Sequence, residues 1–193
     1  MREFNKNKIP KPDFDVELLK GFKNLDIEIG CGVGFHPLDY AKNNPNRLLV
    51  AIEKTKEKFD KFLGRIQKHP HIKNLVPVHS NAVWWITHYA EPRSVDRYFI
   101  LYPNPYPKDP QKRFFSMPFM KYLIETLKVG GTITLATNEK FYFDESLENA
   151  KNIFDLDVLE ANSFTEIEKP RTHFEKKYLE RGETCYNLIL KKV

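Results

Sequence analysis

The feature that most constrains the fold is the segment from Leu25 to Gly34, an apolar run that ends in glycines at every second position. A short apolar run of this kind is typical of a buried parallel strand. Alternate glycines directly after a strand let the backbone turn tightly and approach a ligand closely. The spacing is G-x-G-x-G, whereas the dinucleotide fingerprint G-x-G-x-x-G would need a glycine at Phe35. We therefore predict a nucleotide-type site after a first strand; a glycine-rich turn without a ligand is the alternative.

Composition excludes several other classes of protein. The length of 193 residues fits one domain, and 30% charged with 41% apolar residues is ordinary for a soluble globular protein. No apolar run approaches the roughly 20 residues of a membrane span and no secretory signal is visible, so we expect a cytoplasmic protein without membrane contact. Cys31 and Cys185 form neither a disulfide framework nor a zinc motif, and we expect no metal. The net charge of +5 permits an anionic partner without identifying one.

The order of apolar and amphipathic segments predicts the organisation of the chain. Residues 1–24 mix charges with prolines and are expected to form a flexible N-terminal arm, and residues 25–193 the folded domain. Strand-like and helix-like segments then alternate, which predicts an α/β fold with a mostly parallel seven-stranded sheet and helices on both faces. Gly130 and Gly131 are expected to turn the chain into a fifth strand, and the last strand is expected to run antiparallel.

Two polar residues follow the second and third predicted strands. Glu53 comes 19 residues after Gly34, close to the ~20 expected for an acid that accepts hydrogen bonds from ribose hydroxyls. Asn81 follows the third strand, where its amide oxygen can accept from an adenine amino group. A simple helix cap at Asn81 is an equally weighted alternative.

The fourth predicted strand runs directly into Pro103-Asn104-Pro105-Tyr106-Pro107. Three prolines restrict the backbone and remove donors, which leaves carbonyl oxygens and the Asn104 amide oxygen available. Open α/β sheets bind ligands at the carboxyl ends of their strands, so this turn is predicted to be functional.

The predicted helix over residues 55–68 carries a row of cations opposite its apolar face. We interpret this row as a solvated helix face rather than a nucleic-acid patch, because Glu57 and Asp60 interrupt it. Its members are Lys56, Lys58, Lys61, Arg65 and Lys68.

Taken together, the motifs resemble those of the tRNA (guanine-N7)-methyltransferases, from about Leu25 to the end of the chain and in the same order. The segments that carry the resemblance are Ile29-Gly30-Cys31-Gly32-Val33-Gly34, Ile52-Glu53, Pro103-Asn104-Pro105-Tyr106-Pro107-Lys108, Gly130-Gly131, Ala136-Thr137-Asn138 and Thr172-His173-Phe174-Glu175. The resemblance implies a Rossmann-like class I methyltransferase fold that uses S-adenosylmethionine as cofactor and tRNA as partner. A monomer or weak homodimer is expected.

The resemblance also implies roles for individual residues. Asn104 is expected to lie between cofactor and substrate and to be the catalytic residue. The residues expected to contact the cofactor are Glu28, Gly30, Gly32, Gly34, Glu53, Asn81 and Asn104. Those expected on the substrate side are Lys108, Asn138, Thr172, Phe174 and Glu175.

This chain departs from the family pattern chiefly in charge. Where the family has aspartate in D-A, P-D-P-W, A-T-D and W-D-L, this sequence has Asn81, Asn104, Asn138 and Asn187. Tyr106 and Tyr186 stand for tryptophans, and Lys177 stands for an arginine. If all four asparagines surround one cleft, that cleft has lost up to four negative charges, and we expect cofactor binding with weakened or redirected activity.

Other functions remain open at the level of sequence. The Asn-Pro-Tyr turn is similar to the N-P-P-Y motif of amino methyltransferases, so an exocyclic amine of another substrate is an alternative acceptor. A cofactor-binding pseudoenzyme that serves as an interaction module is a second alternative. A dehydrogenase is disfavoured because the third glycine is misplaced for a dinucleotide.

Overall fold

The computed structural model describes residues 3–193, in which strands and helices alternate from Leu25 onward. The strands are β1 (Leu25–Ile29), β2 (Leu48–Glu53), β3 (Leu75–His79), β4 (Val95–Leu101), β5 (Leu127–Thr137), β6 (Leu156–Phe164) and β7 (Cys185–Lys192). The α-helices are α1 (Phe35–Asn43), α2 (Lys56–Ile66), α3 (Ala82–Tyr89), α4 (Phe119–Thr126), α5 (Lys140–Asn152) and α6 (His173–Glu180). Short 3₁₀ helices cover Lys6–Lys8, Val16–Leu19, Pro110–Lys112 and Phe114–Ser116.

The strands of the described residues form one seven-stranded sheet in the order β3-β2-β1-β4-β5-β7-β6. The pairs from β3 across to β5 are parallel, whereas β7 is antiparallel to both β5 and β6. The predicted mostly parallel sheet with an antiparallel last strand is therefore confirmed. The strand order reverses at β1 and β4, so the turns after these two strands open onto one crevice at the carboxyl edge.

Alternate side chains of the central strands enter two cores on opposite faces of the sheet. In β2, Val50 and Ile52 belong to the core with α3, α4 and α5, and Leu49 and Ala51 to the core with α1, α2 and α6. Both sets are essentially fully buried, which explains why the strand reads as a continuous apolar run. The prediction of helices on both faces is confirmed.

Gly130 and Gly131 lie inside β5 rather than in a turn before it, which corrects the sequence-based expectation. The pairing with β4 shifts at this point, from Val95 opposite Leu127 to Arg97 opposite Thr132. A Cβ on Gly131 would come within 2.9 Å of the Asp96 carbonyl oxygen, so the bulged strand needs glycine here.

Residues 3–24, expected to form a flexible arm, pack across α3 and α4. Phe14 lies edge-on to Trp85 with ring centroids 5.0 Å apart, and Phe4 packs likewise on Phe119 at 5.4 Å. His88 also bonds the Ile9 carbonyl oxygen at 2.9 Å. These contacts lie on the opposite face of the sheet from α1, α2 and α6.

Candidate active site

A cleft of about 560 Å³ lies at the carboxyl ends of β1, β2 and β4. It gathers residues from segments that are far apart in the sequence, as expected at a topological switch point of an open α/β sheet. The sequence-predicted residues that line it are Gly30, Gly32, Glu53, Asn81, Asn104 and Phe174.

The turn after β1 has the backbone geometry that its glycines predict. Gly30 and Gly32 have φ values of 73° and 60°, in the left-handed region that side chains disfavour. A Cβ added to either glycine would meet no atom within 4 Å, so open space lies directly beside the backbone. That space allows a ligand to approach the turn closely.

Gly34 differs from the other two glycines because its surroundings are filled. A Cβ there would lie 2.0 Å from the ring of Phe62, and its φ is 83°. Gly34 precedes α1 and lets this helix pack against α2. It does not line the cleft, so its expected contact with the cofactor stays a prediction, while its packing role is visible.

Glu53 is the last residue of β2, and it lines the cleft. Its Oε2 accepts a hydrogen bond from the Gly32 amide at 2.9 Å, and its Oε1 accepts one from the Thr55 amide at 2.7 Å. The side chain is almost fully buried. A carboxylate has about four acceptor positions, so both oxygens can still accept hydroxyl groups of a ligand.

Glu28 lies on the opposite side of the glycine turn, in a small cavity of about 80 Å³ that also includes Thr172 and Phe174. Its Oε2 is 2.7 Å from His36 Nδ1, and only 2% of Glu28 is exposed. Burial, followed by the charges of Glu28 and Glu53, raises the pKa of Cys31 well above its usual value. The thiol in the glycine turn therefore stays protonated and is not a nucleophile.

Asn81 caps α3 while lining the cleft. Its Oδ1 accepts from the Val83 amide at 2.9 Å, which is the geometry of a helix N-cap. The capping alternative from sequence is thus present, and among residues 3–193 the Nδ2 group of Asn81 has no hydrogen-bond acceptor. The expected contact with a cofactor stays a prediction.

The loop after β4 combines restricted and strained backbone. Tyr102 and Tyr106 have φ values of 52° and 43°, unusual for residues with a Cβ. Asn104 is exposed, and its Oδ1 accepts from the Tyr106 amide at 3.2 Å. Such strain is typical of ligand-binding segments whose surroundings hold them in place.

Arg113 anchors the loop after β4 to helix α5. Its Nη1 donates to the Tyr106 carbonyl oxygen at 2.9 Å, and its guanidinium forms a two-point ion pair with Glu145 of α5. The pKa of Glu145 is lowered: burial alone would raise it, but the bonds from Arg113 and Ser116 outweigh burial. The loop therefore rests on a buried, charge-assisted anchor.

Glu175 lies in the interior rather than in the cleft. It is fully buried, accepts from the Tyr102 hydroxyl at 2.8 Å, and receives both guanidinium and backbone donors from Arg171. Burial would raise the pKa of Glu175, but Arg171 holds it below its usual value. Glu175 therefore links α6 to the loop after β4, and its neighbour Phe174 reaches the cleft.

The other predicted substrate residues are dispersed. Thr172 caps α6 by accepting from the Glu175 amide at 3.0 Å. Lys108 is exposed on the loop after β4 and does not line the cleft. Asn138 donates to Glu183 at 2.9 Å, also outside the cleft. The structure brings Phe174 and Asn104 together, but not Lys108 or Asn138.

Sequence reasoning missed several residues of this site. Lys54, Lys58 and Lys112 line the cleft, where Glu53 is the single acidic lining residue. This excess of positive charge favours an anionic ligand. Tyr102 was also missed; its position between strand and proline loop was the available signal, but its partner Glu175 is 73 residues away.

Two further observations concern metal binding and membrane spanning. Within residues 3–193, no three His, Cys, Asp or Glu side chains are grouped so that they could hold a metal ion. None of the helices described is both long and apolar enough to cross a membrane.

The geometry agrees with the comparisons to known proteins. A protein family described as "Putative methyltransferase" matches residues 23–188, which is most of the chain. The chain therefore belongs to this methyltransferase family. Its glycine turn, the acid after β2 and the proline loop after β4 all lie within the matched region.

The similar curated proteins are more specific in name. The tRNA (guanine-N(7)-)-methyltransferase of Aquifex aeolicus is 32% identical over 173 residues, covering 88% of this chain and 57% of that protein. That of Thermotoga maritima is 26% identical over 196 residues, covering 99% and 61%. The chain thus spans about three fifths of the length of these two relatives.

Solved structures share the fold across nearly the whole chain. An antibiotic-related methyltransferase superposes with a TM-score of 0.67 at 15% identity, covering 93% of this chain and 96% of that one. The 16S rRNA methyltransferase KamB gives 0.65 at 15% identity, covering 92% of each chain. The Rossmann-like class I methyltransferase fold is confirmed.

Proposed function

We propose that this protein is an S-adenosylmethionine-dependent methyltransferase that acts on guanine N7 in tRNA. The observation that carries the proposal is that one cleft joins the open glycine turn and Glu53 to the strained loop around Asn104. The similarity to curated tRNA (guanine-N7)-methyltransferases supports this choice of substrate. We further propose that the protein acts in the cytoplasm, as a monomer or weak homodimer.

The residues at the glycine end fit the cofactor. The space beside Gly30 and Gly32 accommodates a ligand against the backbone, and Glu53 presents oriented carboxylate oxygens to ribose hydroxyls. Glu28 lines a small cavity together with Gly30 and Gly32, and we propose that its carboxylate interacts there with the cationic amino group of the cofactor. When bound, S-adenosylmethionine supplies an electrophilic methyl group.

The residues at the other end of the cleft bind and orient the acceptor. Guanine N7 already carries a free lone pair, so the transfer needs alignment rather than a strong base. Methylation leaves the ring cationic, and Asn104 offers that charge only a dipole. We therefore propose that activity on guanine N7 is weaker than a carboxylate at this position would support.

The direct test is mass spectrometry of nucleosides from unmodified tRNA incubated with protein and labelled cofactor. We expect label in 7-methylguanosine. Label in an N-methylated exocyclic amine would replace the proposed acceptor with the amine. If no label enters the tRNA although the protein binds the cofactor, the proposed enzymatic activity would be contradicted. The alternative of a cofactor-binding interaction module would then be supported.

Cofactor binding has its own test by calorimetry. Glu53→Ala removes an acceptor of ribose hydroxyls, so we expect binding of S-adenosylmethionine to weaken by about 1.5–3 kcal/mol, roughly 10- to 150-fold. Glu57→Ala is the matched control, because this exposed glutamate pairs with Lys61 on α2, outside the cleft. Equal affinity in the Glu53 and Glu57 variants would refute the assignment.

A further inference from the structure

A second, basic cavity of about 440 Å³ lies outside the candidate active site, between α1, the end of α2 and the segment before α6. It is lined by cations from three separate segments, with Asp39 as its single carboxylate. The cationic and histidine side chains that line it are Lys42, Arg65, His69, His71, Lys169 and Arg171.

The charges in this basic cavity are only partly neutralised. Lys169 pairs with Asp39, and Arg171 pairs with the buried Glu175. Lys42 and Arg65 form no salt bridge with any residue in the range 3–193. Lys42 is also exposed. Because, within the described residues, Lys42 and Arg65 keep their positive charges unpaired beside an open cavity, we expect this cavity to attract a polyanion.

Aromatic rings connect the basic cavity to the active-site cleft. Phe35 lines the basic cavity and is 44% exposed, and Phe174 lines the cleft and is 36% exposed. Between them, His173 stacks on Phe35 with ring centroids 6.2 Å apart and planes 18° from parallel. Phe174 in turn stacks on Tyr178 with ring centroids 6.2 Å apart, so the two phenylalanines form part of a continuous, partly exposed aromatic surface.

Two cations of α2 lie over these exposed aromatic rings. The Arg65 guanidinium lies 4.1 Å from the centre of the Phe35 ring, and Lys58 Nζ lies 5.4 Å from that of Phe174. These residues are seven apart and share a helix face. By contrast, Lys56 and Lys61 pair with Asp60 and Glu57 on the solvent side. Four of the five cations that the sequence predicted to form one solvated face thus belong to two different sets.

We propose that the basic cavity is a second RNA-binding site, which holds backbone phosphates of the substrate about Lys42 and Arg65 while the strand runs on past Phe35 and Phe174 toward the cleft. This inference rests on the proposed function, because it assumes that the acceptor is RNA. It adds a phosphate site beyond the cleft and predicts that the strand reaches the cleft over α6. A helix face with paired charges would not bind in this way.

The test measures binding of an unmodified tRNA transcript by fluorescence anisotropy at several salt concentrations. The variant Lys42→Ala with Arg65→Ala is compared with Lys56→Ala with Lys61→Ala, which removes the same charge from paired lysines. We expect the first pair to weaken binding about tenfold and to reduce the slope of log K against log salt by about 1.4–1.8. The control variant should change both the tRNA affinity and the salt slope by much less.

The outcomes separate this inference from the proposed function. Equal tRNA affinity in the two double variants would overturn the phosphate site, even if the parent methylates tRNA. A protein that binds inorganic phosphate but does not bind tRNA would also contradict the proposed RNA-binding site. A selective loss of tRNA binding in the cavity variant would support the site, even if nucleoside analysis found no methyl transfer and the proposed activity failed.

Discussion

Four asparagines stand at positions where the resemblance to tRNA (guanine-N7)-methyltransferases implies aspartate, and they fall into two pairs with different surroundings. Asn81 and Asn104 line the cleft, and each uses its Oδ1 to accept a backbone amide. Asn138 and Asn187 lie outside the cleft, and each uses its Nδ2 to donate to a carboxylate. An aspartate could also accept from the backbone amide in the first pair. It could not donate to the carboxylate in the second pair, because an ionised aspartate has no donor.

Asn187 shows why an amide is needed outside the cleft. Asn187 is almost fully buried; it donates to Glu160 at 2.8 Å and accepts from Arg171 Nη1 at 2.8 Å. Arg171 is also the partner of Glu175, so the network joins β6 and β7 to α6 and, through Tyr102, to the loop after β4. The condition that all four asparagines surround one cleft is therefore not met, because only Asn81 and Asn104 of the four line it.

The largest effect of an aspartate is expected at Asn104. An aspartate there can still accept from the Tyr106 amide, so Asn104→Asp should keep the loop and add a charge beside the cationic product. We expect methyl transfer to tRNA to rise about 10- to 1,000-fold, or ~1.4–4 kcal/mol in the transition state. Methyl incorporation is measured at equal cofactor saturation, with Asn104→Ala as control. Full activity in the parent and no gain in the variant would show that the amide suffices.

At the buried Asn187, the same chemical change should destabilise the fold. Asn187→Asp places a second carboxylate against Glu160 and removes a buried donor, so we expect the free energy of unfolding to fall by about 2–4 kcal/mol. Urea titration at neutral pH measures the loss. Asn162→Asp is the matched control, since Asn162 also donates to Glu160 at 2.8 Å but is exposed. A similar loss in both variants would remove burial as the cause.

Asn138→Asp should cost less, because its contact with Glu183 is only half-buried and Arg181 lies 3.7 Å from that glutamate. We expect a loss of about 0.5–1 kcal/mol in the free energy of unfolding. Adding Glu183→Gln should restore stability, since the new amide can donate to the introduced carboxylate. No restoration in urea titrations of the double variant would contradict the proposed like-charge repulsion.

Asn81→Asp should give the smallest effect, and of opposite sign. The residue caps α3, and a negative charge at a helix N-terminus is favourable, so we expect a gain of about 0.3–0.5 kcal/mol at low salt. The gain should shrink as salt rises. Asn81→Ala, which removes the cap, should instead lose about 1 kcal/mol. A destabilised aspartate variant would show that Asn81 needs its Nδ2 donor.

Much of the fold is predictable from local sequence. Apolar runs located the strands because their side chains enter cores on both faces, and the glycines after β1 predicted a turn that needs positive φ. The failure at Gly130 and Gly131 has a local cause too, since glycine pairs signal turns and bulges alike. Only the register against β4 distinguishes a bulge here.

The end of the cleft at the glycine turn could be predicted from sequence, because the glycine turn and Glu53 follow consecutive strands, which usually lie side by side in a sheet. The end of the cleft around Asn104 and Phe174 depends on contacts that only the folded structure shows. Tyr102 meets Glu175 across 73 residues, and Asn187 meets Glu160 across 27. Such partners depend on β7 inserting between β5 and β6 and on α6 docking beside the cleft. Local patterns carry no signal for pairings made between side chains so far apart along the chain.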